Sequence, residues 1–400
     1  MASMDTEVPA LLLRLDGNPF HHGTLGAVRT LGRAGVETHV LLDEPAGPVL
    51  RSRHLYRAHR RPAGATVDHP RLLDELRRIA ALIGRRAVLL AMDDRGAIAV
   101  ARLATELTDH YLLPSIPAEL PEQLTDKSEL ALLCARLNVP HPATRLPGTA
   151  AEAAAALEEM GGRAVAKWVR PWLLPPDSGL RGTSLVPDAA TAARLFTAGT
   201  PAGSRLLLQQ LLPAHGTDWF FHGCFDRDGR LLTGGTGVKT RSWPPRAGLT
   251  AVGRWVPNPK LTALACRLAA ELGYHGILDL DFRHVDGGYH LLDFNPRPGA
   301  QFRLFTDAAG TDVVRAHHLD LTGRPVPRGR PRPGRLLVVE NYAAVALLTP
   351  APGARPTPTG GRPTVEAAWF AADDPLPFLA VLGTLARRLW HKASLRLHRR

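Results

Sequence analysis

The chain has 400 residues, 45% of them apolar, and a formal net charge of +12. That length exceeds what one core usually serves, so two or more domains are expected. No run reaches the roughly 18–20 apolar residues that span a bilayer, and MASMDTEVPA carries acids where a signal peptide needs positive charge, so the expectation is a cytoplasmic chain.

Residues 9–16 (PALLLRLD) and 37–43 (ETHVLLD) read as short buried strands, with a helix over 23–35 between them that ends in a glycine. A helix over 71–83, the strand RAVLLAMDD (86–94) and an Ala-rich helix to about 107 continue the alternation. This pattern predicts a parallel sheet flanked by helices, with ligands beyond the strands' carboxyl ends. Asp16, Asp93 and Asp94 fall there and either line a cleft or cap helices. The proline-punctuated stretch 113–121 closes this first domain.

Thr125 or Asp126 caps a helix to about 137, and a second helix covers 149–160. The strand RAVAKWV (163–169), a loop at 178–184 (SGLRGTS) and the buried strand LLLQQLLP (206–213) follow. Residues 219–239 read as two antiparallel strands joined by the DRDG turn. A helix over 260–272 leads into the hairpin GILDLDFRHVDGGYHLLDFNPR. Beyond about 325 the chain is Pro/Gly/Arg-rich over 323–335 and 349–364, with RLLVVENYAAVALL between them as one further strand.

The basic residues number 49, five of them lysine. The excess of arginine reads as a GC-rich coding bias, which makes Lys127, Lys167, Lys239, Lys260 and Lys392 informative: an ammonium is kept where a compact point charge is needed. The arginines are scattered and lack interleaved stacking aromatics, which excludes a nucleic-acid partner. Cys134, Cys224 and Cys266 are far apart and odd in number, so they read as core thiols.

In the hairpin, side chains alternate with period two. Asp281 and Asp293 fall across from each other on adjacent strands, and Asn295 and Arg297 share the face of Asp293. Two carboxylates and an amide oxygen form a hard-oxygen set suited to Mg²⁺, which takes one or two carboxylates plus nucleotide phosphates.

Asp281 together with the run Asp293-Phe294-Asn295-Pro296-Arg297 resembles the metal-binding hairpin of the ATP-grasp superfamily. The rest of that superfamily's order is also present over about 1–325. The resemblance implies an α/β protein: an N-terminal parallel-sheet domain (1–120), then a two-lobed α+β ATP-grasp domain (121–325, the lobes meeting near 209–210), then an extension over 326–400. It implies ATP and Mg²⁺ (or Mn²⁺) as cofactors, with Asp281, Asp293 and Asn295 as metal ligands. Lys127 and Lys167 would contact phosphates, the backbone of Gln209-Gln210-Leu211-Leu212 would hold adenine, and Asp218 the ribose. Loop 178–184 would be the phosphate lid. Lys239, Arg241 and Arg297 would stabilise an acyl phosphate. The run from Asp126-Lys127 through NVPHPAT and the segment VKTRSWPP are most similar to carboxylate–amine ligases, the group that includes D-aspartate ligases.

The implied activity joins a small-molecule carboxylate to an amine, an amino acid or peptide, at the expense of ATP. A thiol acceptor, carboxylase chemistry and a non-catalytic nucleotide-binding module are the alternatives. Arg303 either binds a substrate carboxylate or forms a salt bridge. His21 and His22 either contact substrate or have no role. Trp168, Trp172, Trp243 and Trp255 either shape the site's mouth or pack in the core. The tail 376–400 reads as a basic helix, with Leu382, Leu385, Leu389 and the stem of Lys392 on one side. It either docks on its own domain or a partner subunit, which leaves a homodimer open, or lies on the inner face of a membrane.

Overall fold

The computed structural model describes residues 4–62, 68–174, 179–199, 203–244, 248–346 and 364–397. Five parallel strands form the first sheet: β1 (Ala10–Arg14), β2 (Thr38–Asp43), β3 (Arg57–Arg61), β4 (Ala87–Ala91) and β5 (Tyr111–Leu112), in the order β3-β2-β1-β4-β5. β1 and β2 are buried at every position, as continuous apolar runs require of strands covered on both faces. The chain passes from β1 outward through β2 and β3, then returns to the other side of β1 as β4. That reversal opens a crevice at the carboxyl ends of β1 and β4, where Asp16, Asp93 and Asp94 stand.

The second sheet is antiparallel: β6 (Thr144–Arg145), β7 (Ala164–Trp168), β8 (Thr183–Val186) and β9 (Leu206–Gln210), in the order β6-β9-β7-β8. The third contains β10 (Thr217–Phe225), β11 (Leu231–Trp243), β12 (Leu249–Trp255), β13 (Gly276–Val285), β14 (Gly288–Asn295), β15 (Leu336–Val338) and β16 (Val365–Ala367). Its order is β14-β13-β10-β11-β12-β15-β16, and only β15 and β16 pair in parallel. The β13–β14 turn is made by Asp286 and Gly287, both with positive φ (50° and 80°), the backbone of a tight two-residue hairpin turn.

Two differences from the sequence reading concern the last part of the chain. The segment expected as one strand divides into β15 and the helix Glu340–Ala346. Its alanines favour helix, and the Glu340 carboxylate accepts the backbone N–H groups of Trp369 and Phe370. The extension is also integrated with the rest: β15 and β16 complete the large sheet, and a single apolar core contains Leu12 and Val40 of the first sheet, Phe220 and Trp255 of the third, and Trp369 and Val381. Most of 349–364 lies outside the described residues.

A buried ion pair closes this junction. Arg29, on the helix His22–Gly32, donates to Asp374 Oδ2 at 2.9 Å and to the carbonyl of Trp369 at 2.8 Å. Asp374 also accepts from Ser52 Oγ at 2.7 Å and from the Arg53 amide at 2.9 Å. Both side chains are almost wholly buried. Asp374→Ala leaves a guanidinium enclosed without its counter-charge, and is expected to cost about 3–5 kcal/mol of stability. A shift of the urea midpoint at unchanged slope measures it.

Candidate active site

The hairpin register sets Asp281 directly across from Asp293, and Asp279 across from Asn295. Three lysines from three different elements reach these acids. Lys127 is the first residue of the helix Lys127–Arg136, whose N-cap Asp126 accepts the amides of Ser128 and Glu129 at 2.9 and 3.2 Å. Its Nζ lies 2.7 Å from Asp293 Oδ1. Lys167, on β7, donates to Asp293 Oδ1 at 3.2 Å and to the Leu292 carbonyl at 2.8 Å. Lys239, on β11, lies 2.7 Å from Asp281 Oδ1.

Charge balance follows from these distances. Burial alone would raise the Asp293 carboxyl pKa, but the two ammonium groups reverse the sign and hold it well below the carboxylate range. Burial works against the Lys239 charge, and Asp281 outweighs it, so that ammonium is held above the ordinary lysine value. Lys167 goes the other way: burial lowers its pKa, Asp293 offsets part of that, and nearby Lys127 adds to the lowering.

Behind the acids runs a hydrogen-bonded chain. Asn295 Nδ2 donates to Asp279 Oδ2 at 3.2 Å, so the amide oxygen must face the other way. There it accepts from Arg297 Nη2 at 3.1 Å, and Arg297 Nε donates to Asp94 at 2.9 Å. Burial, then the charge of Asp281, pushes the Asp279 carboxyl up to about 8. Burial depresses His222 to about 3. Asp279 Oδ1 lies 3.3 Å from His222 Nε2. Gly299 is required here: a Cβ at that position would lie 2.1 Å from the His222 ring and 2.4 Å from Asp279 Oδ2.

Two cavities meet at the acids. The larger, about 920 Å³, runs between the second and third sheets. Its walls include Lys167, Gln209, Gln210, Leu211, Leu212, Asp218, Lys239, Asp281 and Asp293, with the 181–183 part of the loop at one side. Ser178 of that loop lies outside the described residues. The β9 ladder ends at Gln210, so the amides of Leu211 and Leu212 lie beyond it. Asp218 accepts from Arg283 at 2.7 Å.

The smaller cavity, about 530 Å³, lies between the crevice of the first sheet and the hairpin, and is lined by Asp16, His21, Asp94, Asp281, Asn295 and Arg297 among others. Lys239, Leu249, Asp281, Asp293 and Tyr342 line both cavities. Both volumes fall in the range of small-molecule sites.

Several open alternatives resolve. Asp93 both caps the helix Asp94–Arg102, accepting the Gly96 amide at 2.8 Å, and lines the smaller cavity. His21 caps the helix His22–Gly32, and with His22 also lines that cavity. Trp168 and Trp255 are core residues, whereas Trp172 and Trp243 line the cavities. Tyr342 and Leu249, which no motif marks, complete the shared wall. The contribution of Asp279 had one visible signal, its place on the face of Asp281 two residues earlier.

Three expected site residues line neither cavity: Lys127, which reaches the site only through its contact with Asp293, and Arg241 and Arg303. Arg241 lies between two register shifts on β11 and lines neither cavity. Arg303 is 4% exposed. Its guanidinium donates to the carbonyls of Ala367 and Ala368 at 3.2 and 2.9 Å and lies 3.3 Å from Glu366, so it ties the C-terminal strand in place instead of reaching substrate. Arg303→Met is therefore expected to lower stability by roughly 3 kcal/mol, and a chemical denaturation curve checks this.

Among the described residues no three His, Cys, Asp or Glu side chains cluster as a metal cage. The set on the hairpin is two carboxylates and an amide oxygen, which fits a small hard cation that completes its shell from phosphate and water.

No family model and no curated protein matches the chain in sequence. Solved structures do match. An N5-carboxyaminoimidazole ribonucleotide synthetase from Thermus thermophilus is 18% identical with a TM-score of 0.58, covering 82% of each chain. A biotin carboxylase from Campylobacter jejuni, solved as a β-γ-ATP complex, is 13% identical with a TM-score of 0.60, covering 83% of this chain and 75% of that one. An L-amino acid ligase from Bacillus licheniformis is 15% identical with a TM-score of 0.59, covering 82% and 78%. With its parallel-sheet domain followed by two further sheets enclosing the lysine-rich cleft, the chain has the ATP-grasp fold.

Proposed function

We propose that the protein is an ATP-dependent ligase that activates a substrate carboxylate as an acyl phosphate and couples it to an amine. The observation that carries this reading is the convergence of Lys127, Lys167 and Lys239 on the register-matched pair Asp281 and Asp293, where the two cavities meet. One cavity then takes the nucleotide and the other the acid to be activated, with the reacting phosphorus between them.

In this reading ATP binds between the second and third sheets, with adenine against the backbone of 209–212, the ribose near Asp218 and the phosphates against Lys127 and Lys167. Asp281, Asp293 and Asn295 hold Mg²⁺ or Mn²⁺, which when bound neutralises phosphate charge. Asp279 fixes the Asn295 amide so that its oxygen faces the site. The substrate carboxylate oxygen attacks the γ-phosphorus, the bond to the β-phosphate oxygen breaks, and ADP leaves. Lys239 and Arg297, the latter steadied by Asp94, stabilise the charge on the transferring group. The amine then attacks the acyl carbon and inorganic phosphate leaves, giving an amide. No nucleophilic side chain takes part.

The solved relatives include a synthetase, a carboxylase and an amino acid ligase by their own descriptions, which supports ATP-dependent carboxylate chemistry and leaves the acceptor open. Hydroxylamine distinguishes the readings, because it traps an acyl phosphate as a hydroxamate. The expected result is phosphate release stimulated by a subset of amino acids or peptides, with hydroxamate formed only when ATP, Mg²⁺ and that acid are all present. Phosphate release indifferent to every carboxylate, with no hydroxamate, overturns the proposal.

A further inference from the structure

The loop that leaves β1 brings to the smaller cavity an imidazole that has no part in the phosphoryl transfer. Two successive turns hold this loop. Asp16 Oδ1 accepts the Asn18 amide at 2.9 Å, and Asn18 Oδ1 accepts the Phe20 amide at 3.0 Å, each side-chain oxygen reaching two residues ahead. His21 follows as the N-cap of the helix His22–Gly32, at the carboxyl end of β1 where open parallel sheets bind ligands. Its ring is seated over Gly23, where a Cβ would come within 3.0 Å of His21 Cε1 and 2.9 Å of Ala300 Cα. From that seat the ring lines the cavity together with Ala300 and Arg297.

The backbone decides which nitrogen carries the proton. The Thr24 amide donates to His21 Nδ1 at 3.1 Å, and the Thr24 hydroxyl lies 2.8 Å from the same atom. A nitrogen that accepts an N–H must keep its lone pair, so the single proton of the neutral ring is on Nε2. Burial, then the charges of Arg14 and Arg297, disfavour a second proton and hold the ring's pKa well below the ordinary histidine value. No hydrogen bond among the described residues engages Nε2. The ring therefore offers the cavity an uncharged N–H donor. Such a donor takes an oxygen. It cannot accept the proton of an attacking amine, and it gives an ammonium group nothing to bind. A neutral donor also adds direction without adding charge to a cavity that Lys239 and Arg297 already supply with cations.

We infer that His21 binds the acid substrate, donating from Nε2–H to one of its oxygens in the smaller cavity. This rests on the ligase reading, which assigns that cavity to the acid. His21 is thus at once the cap of a helix and a substrate contact, with one ring nitrogen committed to each task.

Two substitutions separate the nitrogens. His21→Asn keeps an acceptor for the Thr24 amide, and so the cap, but is too short to present a donor to the cavity. His21→Gln keeps a donor at about the reach of Nε2 and gives up the cap. Both are assayed with an acid from which the wild type forms a hydroxamate. His21→Asn is expected to raise the KM for that acid by about ten- to hundredfold, with the KM for ATP and the unfolding temperature unchanged. His21→Gln is expected to hold the acid KM within about threefold of the wild type while lowering the unfolding temperature. An unchanged acid KM in His21→Asn overturns the proposal and leaves His21 a helix cap only. An equal rise in the KM for ATP overturns it too, as does an acid KM in His21→Gln as poor as in His21→Asn, because a lost donor would then not be the cause. A wild type that forms no hydroxamate with any acid removes the ligase reading itself, whereas wild-type hydroxamate with an unaffected His21→Asn removes the role of His21 alone.

Discussion

Asp293→Ala is expected to reduce ATP-dependent turnover to about a thousandth of the wild-type rate or less, with the fold retained. Asp293 is the point at which the second and third sheets meet electrostatically, since both Lys127 and Lys167 lie against its Oδ1. Its removal deletes one of two carboxylate donors of the proposed metal set and leaves two buried ammonium groups facing each other. Initial rates of phosphate release, with circular dichroism as the control for folding, measure the effect. Retained turnover would show that the hairpin is not the reacting centre.

Stability should carry a matching signature. The folded-state pKa of Asp293 lies below its unfolded value. Its contribution is therefore present above about pH 4, the ordinary carboxylate value, and is lost as pH falls through the folded value. The stability gap between wild type and Asp293→Ala should narrow on acidification below that point. Acid titration of the two denaturation curves tests this sign.

Lys167→Ala should act on nucleotide affinity as well as rate. Lys167 extends from the four-stranded sheet to the hairpin, donating to Leu292 O at 2.8 Å and to Asp293. A charge-assisted contact of this kind contributes roughly 1.5–3 kcal/mol, which corresponds to a rise in the KM for ATP of about ten- to hundredfold. Calorimetric binding of a nucleotide, together with the split between kcat and KM, reads the effect directly. An unchanged KM with only kcat reduced would place Lys167 off the ground-state phosphates. Lys167→Arg should not restore activity, because a planar fork in a site this enclosed cannot replace a compact ammonium.

Much of this site was legible because its geometry is local. A twelve-residue interval, an Asp-Gly-Gly turn and period-two alternation are enough to set Asp281 across from Asp293, and a lysine near the end of a short apolar strand is visible where arginine is the default. Arg303 and Arg241 were not legible for the same reason inverted. The partners that bury Arg303 arrive from residues 366–368, and a glycine on another helix, Gly26, leaves room for its guanidinium. Local pattern contains neither fact. The register shifts around Arg241 interrupt the alternation on which its placement depended. In the fold, β3 was missed because Arg57–Arg61 reads RAHRR, a strand held by backbone pairing to β2 with little apolar pattern to announce it. β15 pairs with a strand laid down far earlier in the chain, and no neighbour-to-neighbour signal predicts such a partner.

The pair Arg29–Asp374 joins positions 345 residues apart, and the core it seals contains Trp369 and Val381 beside Leu12 and Leu25. During synthesis at about 5–20 residues per second, the helical face of the first sheet therefore waits tens of seconds for its last covering to leave the ribosome. A chain cut before residue 369 would leave part of that apolar core uncovered and the Arg29 guanidinium without its counter-charge.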